Sequence, residues 1–249
     1  MIESGNVIVL GTVAGKSATM VQTSDPIVIS EEPDSHYVSR GAHKLNGALA
    51  AFPGVVVPGR MALDAGASTG GFTQVLLEQG AARVIAVDVG YGQMAWSVRQ
   101  DDRVDVIERT NVRHLTPEQL PYAPELVVAD LSFISLTSVL PALSECASEN
   151  ADFVLMVKPQ FEVGKDLIGD GVVRDRDLRC SAVAGVVAAA DGIGLDVWGV
   201  TASPLPGPSG NVEYFLWLRR RDHPLHGGEP IAQRTISSTI RTAVEEGPQ

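Results

Sequence analysis

From residue 61 onward the chain alternates short apolar runs with amphipathic stretches. "MALDAG" reads as a strand stopping in a glycine turn, and "GGFTQVLLEQG" as a helix closed by Gly80. "RVIAVDVG" predicts a strand, "QMAWSVRQ" a helix, "VDVIERT" a strand and "PELVVADLSF" another. "SLTSVLPALSECA" predicts a helix, "FVLMVKP" a strand buried on both faces, and "DLRCSAVAGVVAAADGIG" a helix. "LDVWGVTASP" and "VEYFLWLRRR" are two more strands, joined only by the Pro/Gly loop "PLPGPSGN". Short apolar strands alternating with helices predict an α/β fold with a mostly parallel, doubly wound sheet. The last two strands have no helix between them and predict an antiparallel hairpin on that sheet.

Before residue 61 the pattern is weaker. "NVIVLG", "SATMV" and "PIVIS" predict short strands, and "EEPDSH" a linker. "SRGAHKLNGALAAF" predicts a helix, with Ser39 as its N-cap and Leu45, Leu49 and Phe52 on one stripe. After residue 221 the chain is polar and ends in "EEGPQ", which predicts a tail with at most a frayed helix. The expected organisation is therefore a small segment over 1–31, a linker over 32–38, one large domain over 39–221 and a tail over 222–249.

At 249 residues and 45% hydrophobic, the chain suffices for such a domain and its core. No apolar run approaches the ~18–20 residues of a membrane-spanning helix. The first residues, with acidic Glu3 and no basic cluster, make a poor signal peptide. Cys146 and Cys180 are too few for a disulfide framework, so a cytoplasmic location is expected. The net charge of −11 argues against a nucleic-acid binder with a broad basic face. Only a local basic cleft is compatible with it.

The glycine turn "LDAGASTGGFT" follows the first strand of the large sheet. In this architecture ligands bind at the carboxyl ends of the strands. Gly66, Gly70 and Gly71 allow close backbone approach. Asp88, about 20 residues beyond the first glycine, ends the next strand, where an acid accepts from a ribose diol. Such a turn fits a dinucleotide or S-adenosylmethionine (SAM). The strand ends "DAG" without opening a G-x-G-x-x-G turn, and Asp64 suits the ammonium and sulfonium of SAM better than a pyrophosphate. A Walker lysine motif is absent. The candidate cofactor contacts are Asp64, Gly66, Ala67, Ser68, Gly70, Phe72, Asp88 and Asn111.

Polar residues also sit at other strand ends. Asp130 follows "ELVVA", Lys158 follows "VLMV", and Glu213 opens the last strand. In a parallel sheet with a final antiparallel strand, all three reach one rim. Lys44 joins them if its helix folds over the cleft. Each alone has an ordinary explanation: a snorkelling lysine, a turn acid, an edge-strand charge, an exposed helix lysine. Together they suit a hard deprotonation such as that of a ribose hydroxyl. A lysine becomes a base when burial or a second cation disfavours its ammonium. The D/N-P-P-aromatic turn of amine methylation is missing, since that place reads "ADLSF". Arg40, His43 and Lys165 add possible phosphate contacts. No His/Cys cluster suggests a metal.

"YVSRGAHKL", "LDAGASTGGFT", "DVGYGQMAW", "ERTNVR", "VADLSFISL", "VKPQFEVGK" and "SPLPGPSGNVEYFLWL" together resemble the TlyA haemolysin family of rRNA 2′-O-methyltransferases, related to the FtsJ/RrmJ enzymes. The resemblance covers residues 37–221. It implies a Rossmann-like class I methyltransferase fold and SAM as cofactor. It also implies methylation of cytidine ribose in small- and large-subunit rRNA of ribosomal particles. The family's K-D-K-E tetrad falls on Lys44, Asp130, Lys158 and Glu213. The family begins with an S4-type RNA-binding domain, and residues 1–31 resemble only its second half. A membrane-active haemolysin and a non-catalytic RNA- or ribosome-binding protein are the alternatives.

Overall fold

The computed structural model describes residues 7–14, 16, 20–22, 25–29, 36–164, 168–223 and 228–248. Near the N-terminus, β1 (Val7–Val9), β2 (Thr12–Val13) and β3 (Ile27–Ile29) form a small antiparallel sheet, order β2–β1–β3. Of the expected strand at "SATMV", residues 17–19 lie outside the described residues, and Met20 and Val21 carry no strand. The β1–β2 turn comes up to the loop at Gly92 and Gln93 of the large domain.

Helix α1 (Gly41–Ala51) is capped by Arg40 without a side-chain bond, not by Ser39 as expected. The Ser39 hydroxyl is instead pressed against Gly71, where no Cβ would fit. Then follow β4 (Met61–Ala65), α2 (Gly71–Glu78), β5 (Arg83–Val87), α3 (Trp96–Arg99) and β6 (Val104–Ile107). The second half holds β7 (Leu126–Ala129), α4 (Leu140–Cys146), β8 (Asp152–Val157), α5 (Pro159–Glu162) and α6 (Arg176–Gly192). The chain closes with β9 (Leu195–Ala202), β10 (Tyr214–Arg220) and α7 (Gln233–Glu246).

The large sheet has the order β6–β5–β4–β7–β8–β10–β9. The strands from β4 to β8 pair in parallel, and β10 lies antiparallel between β8 and β9. The last two strands are thus a hairpin, and its second arm is the one that joins the sheet. One face is covered by α4, α6 and α7, the other by α1, α2 and α3.

Three elements differ from the sequence pattern. The helix expected over 135–147 breaks into a 3₁₀ turn, Leu136–Ser138, and α4. Pro141 lacks an N–H and is accommodated only in a first helical turn, so the α-helix starts there. Helix α3 is reduced to one turn, because Gly92, at φ +66°, belongs to a loop. The expected polar tail is the packed helix α7, which buries Ile236, Ile240, Ala243 and Val244 against α6 and β9.

Candidate active site

The glycine turn closes directly on the neighbouring strand end. Gly66 has φ +87°, and a Cβ there would meet the Asp130 carbonyl oxygen at 2.6 Å. Glycine therefore couples the turn after β4 to the chain leaving β7. The Gly66 and Ala67 N–H groups donate to the Val87 carbonyl at 2.8 and 3.1 Å. Ser68, exposed and at φ +48°, donates its N–H to Asp88 Oδ2 at 2.8 Å. Asp88 Oδ1 accepts from Gly90 N–H at 2.6 Å. The acid expected at a ribose is thus also the brace of the loop around it.

Asp64 is fully buried, and Thr73 Oγ1 donates to its Oδ2 at 2.7 Å. Its Oδ1 is buried with no hydrogen-bond partner. Burial pushes the carboxyl up to about 7; nearby Asp130 and Asp88 push the same way, and the bonds from Thr73 oppose them. A buried carboxyl with one open oxygen matches a donor-bearing or cationic ligand group, so these residues fit the aminoacyl end of SAM. Ala67 is buried beneath the turn. Asn111 is exposed and accepts from Arg113 N–H at 3.0 Å, capping a 3₁₀ turn. Phe72 departs from expectation: its ring is core, stacked on Phe215 at 6.2 Å, and does not line the cleft.

The four residues proposed at strand ends come together. In β4, β7 and β8 the even positions Ala62, Leu126, Val128, Val154 and Met156 face the α1–α2 side. The odd positions Phe215 and Trp217 of β10 do the same. With a side-chain period of two, the alternation carries Asp64, Asp130, Lys158 and Glu213 to that same face. Helix α1 covers it, which is how Lys44 reaches the rim. Lys44 Nζ donates to Glu213 Oε2 at 2.5 Å. Lys158 Nζ lies 2.6 Å from Asp130 Oδ1 and donates to Ser132 Oγ at 2.9 Å. Lys44, Lys158 and Glu213 are buried, Glu213 to within 1% of full exclusion. The register sets Tyr214 opposite Val157, so Glu213 and Lys158 are the next cross-strand neighbours. A Cβ on Gly207 would meet Glu213 Oε1 at 2.8 Å, so that oxygen faces bare backbone.

The proposed phosphate contacts are less gathered. Arg40 is exposed and reaches the Pro206 carbonyl at 3.4 Å. His43 is half-buried, edge-on to Tyr37 at 5.2 Å. Lys165 lies outside the described residues. Shallow grooves of about 310 Å³ between α1 and the segment that follows it, and of about 300 Å³ between β9 and α7, contain none of the four paired residues.

A family model for FtsJ-like methyltransferases matches residues 37–220. The chain belongs to the FtsJ-like methyltransferase family. The 16S/23S rRNA (cytidine-2'-O)-methyltransferase TlyA of Mycobacterium tuberculosis is 53% identical over 249 residues, 100% of this chain and 91% of its own. Hemolysin A of Brachyspira hyodysenteriae is 35% identical over 217 residues, 86% of this chain and 89% of its own. A solved Streptococcus thermophilus protein, described as a candidate hemolysin, superposes with TM-score 0.79 at 36% identity. That match covers 98% of this chain and 88% of the other.

Several residues on the rim of this FtsJ-like domain escaped the sequence pattern. Phe133, in the loop after β7, is 92% exposed at φ +64°, a rare conformation for a bulky residue. Its ring meets Phe161 at 5.3 Å. Glu162 accepts from Ser135 Oγ at 2.5 Å and Leu136 N–H at 2.8 Å, tying α5 to the same loop. Burial raises its carboxyl, and these two bonds partly offset the rise. After β5, Tyr91 is exposed with the Arg109 guanidinium over its ring at 4.2 Å, and Trp96, the first residue of α3, is exposed as well. An aromatic inside an apolar run looks like core in a sequence; only the loop's course turns these outward.

Proposed function

We propose that this protein transfers a methyl group from SAM to a ribose 2′-hydroxyl of ribosomal RNA, with cytidine in small- and large-subunit rRNA as its target. The observation that carries the reading is the meeting of two lysine–carboxylate pairs, with both lysines buried, on the rim that holds the glycine turn. Membership of the FtsJ-like family and the 53% identical TlyA relative support it.

SAM, when bound, supplies an electrophilic methyl on sulfonium. Gly66, Ala67, Ser68 and Gly70 offer it backbone, Asp64 Oδ1 an acceptor for its ammonium, and Asp88 a carboxylate for its ribose. Lys158, as the neutral amine, would take the proton of the 2′-hydroxyl, and bound SAM would supply the methyl that replaces it on O2′. Asp130 balances the ammonium that forms. Lys44 and Glu213 hold the ribose hydroxyls at the bare Gly207 backbone. The exposed rings of Phe133, Tyr91 and Trp96 offer stacking faces for unpaired bases. Stacking needs no broad basic surface, which reconciles RNA binding with a charge of −11. Ribosomal subunits as substrate would make the cytoplasm its place of work.

The test is transfer of labelled methyl from SAM to ribosomal subunits by the wild type and by Lys158→Ala, with SAM binding measured in both. The expected result is transfer to a 2′-oxygen that falls by about 10²–10⁴-fold in the variant while SAM binding persists. Undiminished transfer by Lys158→Ala, or label on a base nitrogen, would overturn the reading. Lysis of liposomes independent of Lys158 would favour a haemolysin instead.

A further inference from the structure

We infer that Ser132 is a positioning residue that aims the lone pair of Lys158 at the 2′-hydroxyl. This rests on the reading of Lys158 as the base. A neutral primary amine has two N–H bonds and one lone pair, so a directional bond from one N–H, together with a charge that repels the lone pair from one side, fixes its aim. Two groups contact Lys158 Nζ: Asp130 Oδ1 at 2.6 Å and Ser132 Oγ at 2.9 Å. The two contacts are of different kinds. The approach to Asp130 Oδ1 is a charge contact without hydrogen-bond geometry, since that oxygen has no hydrogen-bond partner. The bond to Ser132 is therefore the directional one, and hydrogen bonds weaken steeply when misaligned. With one N–H held by Ser132 and the Asp130 carboxylate repelling the lone pair from its own side, the lone pair takes the remaining direction of the tetrahedral nitrogen. The proton taken from O2′ fills that direction and gives the ammonium.

The local chain is built to hold this hydroxyl. Ser132 is exposed and makes no contribution to the core. It stands between Asp130 at the strand end and Phe133 at φ +64°. Such strain persists only where surroundings over-determine it. Here the surroundings are Phe161 against Phe133, and Glu162 bonded to Ser135 and Leu136. Both braces come from α5, the helix that begins at the residue after Lys158. Base and positioning loop are thereby fixed to one another.

The experiment compares Ser132→Ala, Ser132→Thr and Lys158→Ala with the wild type in methyl transfer to ribosomal subunits. SAM affinity and melting temperature are measured in each. We expect Ser132→Ala to lower kcat by about ten- to a hundredfold, with KM for subunits, SAM affinity and melting temperature unchanged. Ser132→Thr, which keeps the hydroxyl, should recover most of the rate. A wild-type kcat in Ser132→Ala, a loss carried by SAM affinity or KM, or a loss shared equally by Ser132→Thr would overturn the inference. If Lys158→Ala itself retains full activity, the underlying reading fails instead.

Discussion

The two ends of the large sheet both bury charge, and they treat it differently. At the end opposite the glycine turn, Asp152 is 1% exposed and takes three donors. Arg60 reaches it at 2.5 Å, Arg219 Nε at 2.5 Å and Trp217 Nε1 at 2.7 Å. Arg60 goes on to the carbonyls of Glu125 and Asn150, and the Arg219 guanidinium lies over the rings of Trp198 and Trp217. At the end that carries the glycine turn, Asp88 accepts an N–H on each oxygen, but three other carboxylates are less fully bonded. Asp64 Oδ1 has no hydrogen-bond partner, Asp130 Oδ1 has only a charge contact, and Glu213 accepts one bond on Oε2. Buried polar groups are ordinarily satisfied, so the open oxygens of Asp64 and Asp130 agree with the cofactor and substrate positions proposed above. The Asp152 carboxylate is saturated, although Arg219 Nη1 beside it lacks a hydrogen-bond partner, whereas the Asp64 and Asp130 carboxylates each keep an oxygen without one.

The comparison can be broken by substitution. The largest effect on folding should come from Asp152→Ala, which strands two arginines and a Trp N–H. Removing one partner of such a cluster costs about 3–5 kcal/mol. Urea unfolding should show that loss, while methyl transfer per folded molecule stays at the wild-type level. An inactive but equally stable variant would erase the distinction.

Asp64 sharpens it through pH. Its carboxyl ionises near 3.8 when unfolded and at about 7 when folded. Between those values unfolding releases a proton, so stability falls as pH rises and levels off above about 7. The slope is about 1.4 kcal/mol per pH unit inside the window. Unfolding of the ligand-free protein at pH 5 and pH 7.5 should show it, and Asp64→Asn should abolish it. A slope that survives in Asp64→Asn would assign it elsewhere.

Glu213→Gln keeps the shape of the side chain and removes the charge facing Lys44. Methyl transfer should fall about a hundredfold, equivalent to ~2.7 kcal/mol of barrier. The melting temperature should move by only a few degrees. A collapse in stability like that of Asp152→Ala would place Glu213 with the structural cluster. The smallest change is Gly207→Ala. Gly207 is outside the left-handed region, so alanine suits its backbone, but the new methyl would crowd Glu213 Oε1. We expect kcat/KM to drop about tenfold with an unaltered melting curve.

Much of this was legible in the chain. Asp130, Lys158 and Glu213 each interrupt or border an apolar run, and parallel topology leaves such residues only one rim. Lys44 was legible as a candidate, but its arrival depended on α1 covering the correct face, which no local pattern states. Helix α7 was misread although its signal was present. Ile236, Ile240, Ala243 and Val244 recur at helical spacing, and their polar surroundings masked the stripe. Ser132 and Phe133 left no signal. Their places depend on a left-handed backbone at a non-glycine residue, which tertiary contacts impose and sequence does not announce. Phe72 erred the other way: adjacency to the glycine turn suggested a ligand contact, and packing against Phe215 claimed the ring.

The insertion of β10 between β8 and β9 orders events during synthesis. The strand that brings Glu213 is the last of the sheet to be made, yet it occupies an interior position. Until residues 214–220 emerge, β8 is an unpaired edge and Lys44 has no carboxylate to meet. A nascent chain carrying Lys158 and the whole glycine turn therefore still lacks the Lys44–Glu213 pair. The ribosome making this protein completes the sheet only once β10 has emerged.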